Sequence, residues 1–292
     1  MKQATTANLL LILVTLIWGV TFTVIKAAVV YIDPAMFVVL RFIIASACFG
    51  IFIRKKLKYT NRTLIKQTLI LGFFNSLVFF SQTAGLQYES SANIAFLNAL
   101  SVVFIPFLSP LFGVGRPNAL HVVCCLISVI GIYVLTGASF QTFGLGDAFG
   151  IVSALSFAIT VAYLHKITRK ARDSSLLAGW QIFFTLPLPI LLAVNHPITH
   201  VFYPAVIFAL LYCAILSTCV TFQLQAKYQR ETTPTKAALI YMLEPVFAVI
   251  FAYLINHEPV FVSTAVGGLI ILFSVLLSEL GHLVFGRIKR IF

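Results

Sequence analysis

The stretch LEPVFAVIFAYLINHEP (Leu243–Pro259) decides the fold. Its apolar residues fall on both parities, whereas a strand of an outer-membrane barrel alternates polar and apolar over about ten residues. A barrel is therefore excluded and a membrane helix expected. Extended backwards to TPTKAALIYMLEPVFAVIFAYLINHEP (233–259), it lies over SSANIAFLNALSVVFIPFLSPLFGVGRP (90–117) with a shift of about 143, Val103-Phe104 on Val246-Phe247. A second repetition sets Asp33, at a turn before an apolar helix, on Asp173, a shift of 140. Each unit then holds five helices. Five is odd, so the second copy enters the membrane upside down, the inverted-topology repeat of secondary carriers.

Composition agrees. Of 292 residues 60% are apolar and 10% charged, with a mean hydropathy of +1.03, against roughly 45–50% and 25% in soluble domains. Apolar runs bounded by charge, Gly or Pro predict ten helices, at 9–30, 34–54, 64–84, 91–113, 119–137, 145–166, 174–194, 203–225, 234–256 and 260–285. At about 20 residues per crossing they leave only short connections. The expected fold is an all-α integral membrane protein of ten transmembrane helices, arranged as a five-helix repeat over 1–140 and its inverted copy over 141–292. The run Leu9 to Ile25 follows a segment carrying only Lys2 and precedes no usual cleavage site, so it is expected to stay as the first helix rather than leave as a signal peptide.

The net charge of +12 reflects orientation. With the N-terminus inside, Lys2, then Arg54, Lys55, Lys56, Lys58, Arg62 and Lys66, then Arg116, then Lys166, Arg169, Lys170 and Arg172, then Lys227, Arg230 and Lys236, and finally Arg287, Lys289 and Arg290 all fall on the cytoplasmic side. Only Lys26 and Arg41 fall elsewhere among the 20 basic residues. Both termini are expected in the cytoplasm, the bilayer rather than nucleic acid being the partner of this charge. Cys48, Cys124, Cys125, Cys213 and Cys219 lie inside apolar runs, so neither a disulfide nor a metal site is expected. No cofactor is implied. There is no H-E-x-x-H, G-x-S-x-G or phosphate loop, and the six His residues are scattered, so an enzyme is not expected.

Polar residues within the membrane mark the candidate site. Helix 1 offers Trp18, Thr21 and Phe22, helix 3 Asn75, Phe79 and Gln82, and helix 4 Asn98. Helix 6 offers Tyr163 beside Ser153, Ser156 and Thr160, helix 7 Trp180 and Gln181, and helix 9 Tyr241. Trp18, about ten residues into its helix, is too deep for an interfacial belt and reads as a pocket wall. The small polar stripe of helix 6 reads first as packing glue and only second as a ligand site. Arg41 is either a snorkelling cation or an anion-binding or gating charge. Glu244, near the centre of its predicted helix, either braces the backbone at Pro245 or is a proton-coupling or cation-contacting carboxylate. The shift of 143 sets Asn98 on Tyr241 and Ser101 on Glu244.

WGVTF (18–22), DPAMFVVLRFIIA (33–45), YESSANIAFLNALSVVF (88–104) and LEPVFAVIFAYLINHEP (243–259), in that order along ten helices, resemble the EamA branch of the drug/metabolite transporter superfamily over nearly the whole chain. The first half departs from the pattern in having Ser101-Val102 where Glu244-Pro245 stands, and Gly115 where Glu258 stands. The resemblance implies a ten-helix carrier of small organic metabolites, often amino acids, in a basket of helices 1, 3, 4, 6, 8 and 9. Helices 5 and 10 would stand outside it and can support a homodimer. The expected function is a secondary transporter of amino acids or related compounds, working by alternating access in the bacterial inner (cytoplasmic) membrane. The alternatives are an exchanger or importer of a nucleotide-derived or cofactor-like metabolite, for which a more basic cavity is expected, and a non-transporting scaffold or enzyme.

Overall fold

The computed structural model describes residues 2–113, 119–135, 143–168, 173–196, 200–228, 231, 240–241 and 243–288. The expected boundary between the repeats at 140/141 lies outside these residues, as do Gly115, Arg116, Arg169, Lys170, Arg172, Arg230, Lys236, Lys289 and Arg290. The described residues form helices and connecting turns, with no strand among them. Seven apolar helical segments are long enough to cross a membrane: Thr6–Ala28, Pro34–Tyr59, Arg62–Tyr88, Ser91–Leu108, Leu145–Thr168, Ser174–Ala193 and Pro204–Tyr228. Three shorter apolar helices, Ala119–Leu135, Leu243–Asn256 and Val262–Leu277, occupy the remaining predicted positions.

In chain order the helices are α1 (Lys2–Ala28), α2 (Pro34–Ile53), α3 (Arg62–Tyr88), α4 (Ser91–Ala99), α5 (Ser101–Leu108), α6 (Ala119–Leu135), α7 (Leu145–Thr168), α8 (Ser174–Phe184) and α9 (Pro187–Ala193). They continue as α10 (Pro204–Leu211), α11 (Thr221–Tyr228), α12 (Leu243–Asn256) and α13 (Val262–Ile288). Their starts follow local chemistry. Asp33 and Asp173 cap α2 and α8 in the same way, each Oδ1 accepting from the second and third following N–H, while Asn61 and Ser90 cap α3 and α4.

Three predicted helices are broken where continuous ones were expected. The fourth is interrupted at Leu100, between α4 and α5. The seventh breaks at Thr185–Leu186, before Pro187, whose ring cannot follow a helical turn without displacing it. The carbonyl freed at Thr185 accepts from the Ser76 hydroxyl at 2.7 Å. The eighth contains a π-helical stretch, Tyr212–Val220, between α10 and α11.

Helices of the first half pack on helices of the second: α3 on α7 and α8, α1 on α12, α2 on α9 and α6 on α13. Small residues permit close approach. A Cβ on Gly19 would stand 2.5 Å from Phe247 Cβ, and one on Gly267 would stand 2.5 Å from the Leu135 nitrogen, so α1–α12 and α6–α13 both require glycine. The α6–α13 contact is completed by Ser128 and Ser274, whose hydroxyls lie 2.7 Å apart, Ser274 also donating to the Cys124 carbonyl. Large apolar side chains such as Ile51, Phe52, Leu126, Leu191 and Leu269 stay exposed, as a lipid-facing surface requires.

Candidate functional site

The helices enclose a central cavity. Trp18 and Thr21 of α1, Arg41 of α2, Asn75, Val78, Phe79 and Gln82 of α3, and Asn98 of α4 line it from the first half. From the second come Phe157 and Thr160 of α7, Gln181 of α8, Ser217 of the π-helical stretch, Phe222 and Gln225 of α11, and Glu244 of α12. The predicted helices 5 and 10 contribute none of these. Helices 2 and 7, outside the basket implied by the family resemblance, supply Arg41 and Gln181, which the shift of 140 makes equivalent. The centre of a water-sized sphere can move through about 30 Å³, room for about two waters at roughly 10–15 Å³ each.

The π-helical stretch organises one side. Looser winding lets Thr218 Oγ1 donate to the Cys213 carbonyl, five residues back, at 2.7 Å, and leaves Ser217 turned to the cavity. The Ser217 carbonyl accepts from Trp18 Nε1 at 3.3 Å and from the Thr221 hydroxyl at 2.7 Å, while its own hydroxyl lies 3.0 Å from that of Thr21. Trp18 is thereby fixed, its indole N–H also donating to Thr221 Oγ1 at 3.1 Å and its ring packed edge-on against Phe157.

Arg41 is fully buried, so it does not snorkel to an interface. Nε donates to Thr218 Oγ1 at 3.0 Å and Nη2 to Ser217 Oγ at 3.2 Å, with the guanidinium 4.5 Å from the Phe79 ring centroid. Nη1 has no partner among the described residues. A charge at a helix centre costs roughly 2.5–3.5 kcal/mol on insertion scales, and an unmet buried donor about 1–3 kcal/mol more. Asn75 Nδ2 and Thr160 Oγ1 are also left unpaired on the cavity wall.

Glu244 opens the described part of α12, with Pro245 beside it, and Ile240 and Tyr241 ahead of it are helical as well. Its carboxyl is hydrogen-bonded by Asn98, which in turn accepts from Ser153 at 3.1 Å. Ser153 thus acts as an internal tie.

Four predicted residues lie off the cavity wall. Phe22 points into the apolar core. Tyr163 packs against Phe112 with ring centroids 5.3 Å apart. Trp180 stacks on Phe184 and donates to Thr60 Oγ1 at 3.0 Å, tying α8 to the loop after α2. Tyr241 backs Trp18 from behind, its ring centroid 5.7 Å away and its hydroxyl accepting from Gln225. Val78, Phe157, Ser217, Phe222 and Gln225 were not singled out from the sequence. For Ser217 the signal is a backbone distortion, which composition does not encode.

Beyond the cavity the two halves exchange partners. Asp173 Oδ2 lies 2.9 Å from Lys56 Nζ and Asp33 Oδ2 lies 3.0 Å from His196 Nδ1. The shift of 140 that carries Asp33 onto Asp173 also carries Lys56 onto His196. One contact is therefore made twice, with the halves reversed. The 20 residues of α2 separate the two by about 30 Å at 1.5 Å per residue, so they stand at opposite ends of the molecule. Burial alone would raise the Asp173 carboxyl, but its bond to Lys56 and the Ser175 and Leu176 N–H groups hold it below the ordinary carboxylate range.

At the His196 end, Lys26 Nζ donates to the Leu86 and Glu89 carbonyls at 2.8 and 2.9 Å, completing the C-terminus of α3. Glu258 accepts from Ser91 N and Oγ at 2.8 and 2.6 Å, and Asn256 reaches the Thr23 carbonyl at 3.0 Å. Burial pushes the Glu89 carboxyl above its ordinary range, the Asn93 hydrogen bond opposing and Asp147 reinforcing the shift.

A multi-pass helical membrane protein closed around a polar cavity defines the class to which the comparisons add a family. The model of the EamA-like transporter family matches residues 5–137 and again 144–280, and the chain belongs to that family. It is 31% identical over 274 residues to an uncharacterized transporter of Archaeoglobus fulgidus, covering 94% of this chain and 86% of that one. It is also 26% identical over 271 residues to the uncharacterized transporter YoaV of Bacillus subtilis, covering 89% and 92%. A solved crystal structure shares the fold with a TM-score of 0.66 at 19% identity, covering 94% of this chain and 97% of the other. The relatives are named transporters, not enzymes.

Proposed function

We propose that the protein is a secondary carrier of small organic metabolites, amino acids or related compounds foremost, and that it works by alternating access between two inverted five-helix halves. The observation that carries this is the exchanged pair, Asp33–His196 at one end and Asp173–Lys56 at the other. A twofold axis in the membrane plane interchanges the two faces, and a carrier closes each face in turn around a central site. With both pairs formed, the structure suits the occluded state between the two openings. The cavity wall of Trp18, Thr21, Asn75, Phe79, Gln82 and Asn98 offers aromatic faces to an apolar body and amides to polar groups.

The charge count supports an orientation with the Lys56 end and both termini in the cytoplasm of a bacterial cell and the His196 end outside. Among the described lining residues Arg41 is the sole cation and Glu244 the sole acid, which favours a small metabolite over a nucleotide-derived one. Helices α6 and α13, absent from the cavity wall, are free to support a homodimer.

Counterflow in proteoliposomes tests the function. Labelled amino acids should accumulate transiently in vesicles preloaded with the unlabelled pool, and protein-free vesicles should show none. No counterflow with any member of the pool would sink the amino-acid carrier. A reporter fused after Phe292 should read cytoplasmic, and a periplasmic signal would overturn the orientation.

A further inference from the structure

Arg41 remains a cation in want of an anion. It is enclosed by hydroxyls and rings, and among the described residues it makes no ion pair and its Nη1, shut off from solvent, has no hydrogen-bond partner. Glu244 lines the same cavity without pairing with it. A guanidinium and a carboxyl group thus share one space without joining. Nε and Nη2 are already engaged by Thr218 and Ser217, which fixes the plane of the guanidinium and leaves the Nη1 edge to receive a ligand.

We infer that Arg41 is the anion subsite of the cavity, and that the transported species carries a carboxylate which the Nη1 edge takes up on entry. A planar guanidinium matches a carboxylate by shape as well as charge. A phosphate dianion fits less well, because no second cation lines the cavity among the described residues and Glu244 would face the surplus negative charge. Glu244 is left as the counter-charge for an ammonium group, so a zwitterion satisfies both poles together. Ser217 and Thr218 are positioning residues that hold the fork, which gives the π-helical stretch a role in recognition.

The subsite rests on the carrier reading above, and the experiment separates the two. Proteoliposomes of the full chain are loaded with an equimolar pool of the twenty protein amino acids, their primary amides, and the amines left when the carboxyl group is removed. Efflux of each compound is followed by mass spectrometry, with protein-free vesicles subtracted. Acids should leave at least tenfold faster than the matching amides and amines. Arg41→Gln should lower efflux of the acids at least tenfold, and Arg41→Lys, which keeps the charge without the fork, should fall between. Amides leaving as fast as their acids from wild-type vesicles would overturn the subsite while the carrier stands, and that comparison needs no variant. Efflux of no compound above protein-free vesicles would overturn the amino-acid carrier and the subsite with it.

Discussion

The Lys56–Asp173 and His196–Asp33 contacts are one structural element used twice, yet they differ chemically. Both carboxylates cap a helix and reach across to the other half at about the same distance. At the first end the partner is an ammonium group, and at the second an imidazole, which makes an ion pair only when protonated. A twofold-related pair with unlike partners biases the two faces unequally. Both contacts are partly exposed, so each is worth about 0.2–1 kcal/mol. That is too little to matter for folding and enough to shift a balance between two open states up to about fivefold.

Reversing one charge should break this comparison most strongly. Lys56→Glu sets two carboxylates face to face, replacing an attraction with a repulsion, and should favour opening at that end by roughly 5- to 30-fold if each term is about 1 kcal/mol. The rate at which an impermeant thiol reagent reaches a cysteine placed at Thr160, in a Cys48→Ser background, measures it. Lys56→Glu with Asp173→Lys should return the rate towards wild type. A double variant as open as the single one would remove the latch.

His196→Lys should sharpen the comparison by making the ends alike. Opening at the His196 end should slow by up to about fivefold, read by the same reagent applied from that side. An unchanged rate would remove the latch at that end. A smaller effect follows from Asp173, whose carboxyl is held low in the folded protein. Such a group stabilises above the unfolded pKa of about 3.9, and its contribution disappears as pH falls through the lower folded value. Thermal unfolding between pH 5 and 3 should therefore lose up to about 1 kcal/mol more in wild type than in Asp173→Asn. Glu89→Gln should change least. The Glu89 carboxyl is raised mainly by burial, so its ionised form opposes folding at neutral pH. The variant should melt at or slightly above the wild-type temperature at pH 7 and show no advantage at pH 4.

Much of this was legible in the residues. Polar side chains stand out in apolar helices because each costs energy there, which is how Trp18, Arg41, Asn75, Gln82 and Asn98 were singled out before their convergence on one cavity was visible. Helical spacing gives a face but not a depth, so Phe22 and Tyr241 share faces with wall residues while packing beside or behind them. Trp180 looked like a pocket residue by type, but its indole is used by Thr60. The π-helical stretch and the exchanged Asp pairs depend on backbone winding and on partners more than 110 residues apart. The repeat shift of 140 already aligned Lys56 with His196, but only the folded chain shows each facing the other half's aspartate.

Bridging each end separately tests alternating access most directly. In a Cys48→Ser background, cysteines replacing Asp33 and His196, or Lys56 and Asp173, are joined by a short bis-methanethiosulfonate spacer, and counterflow is measured before and after reduction. Alternating access requires both ends to open in every cycle. Either bridge alone should lower counterflow at least tenfold, with recovery on reduction. Counterflow at the unbridged rate with either end joined would contradict it.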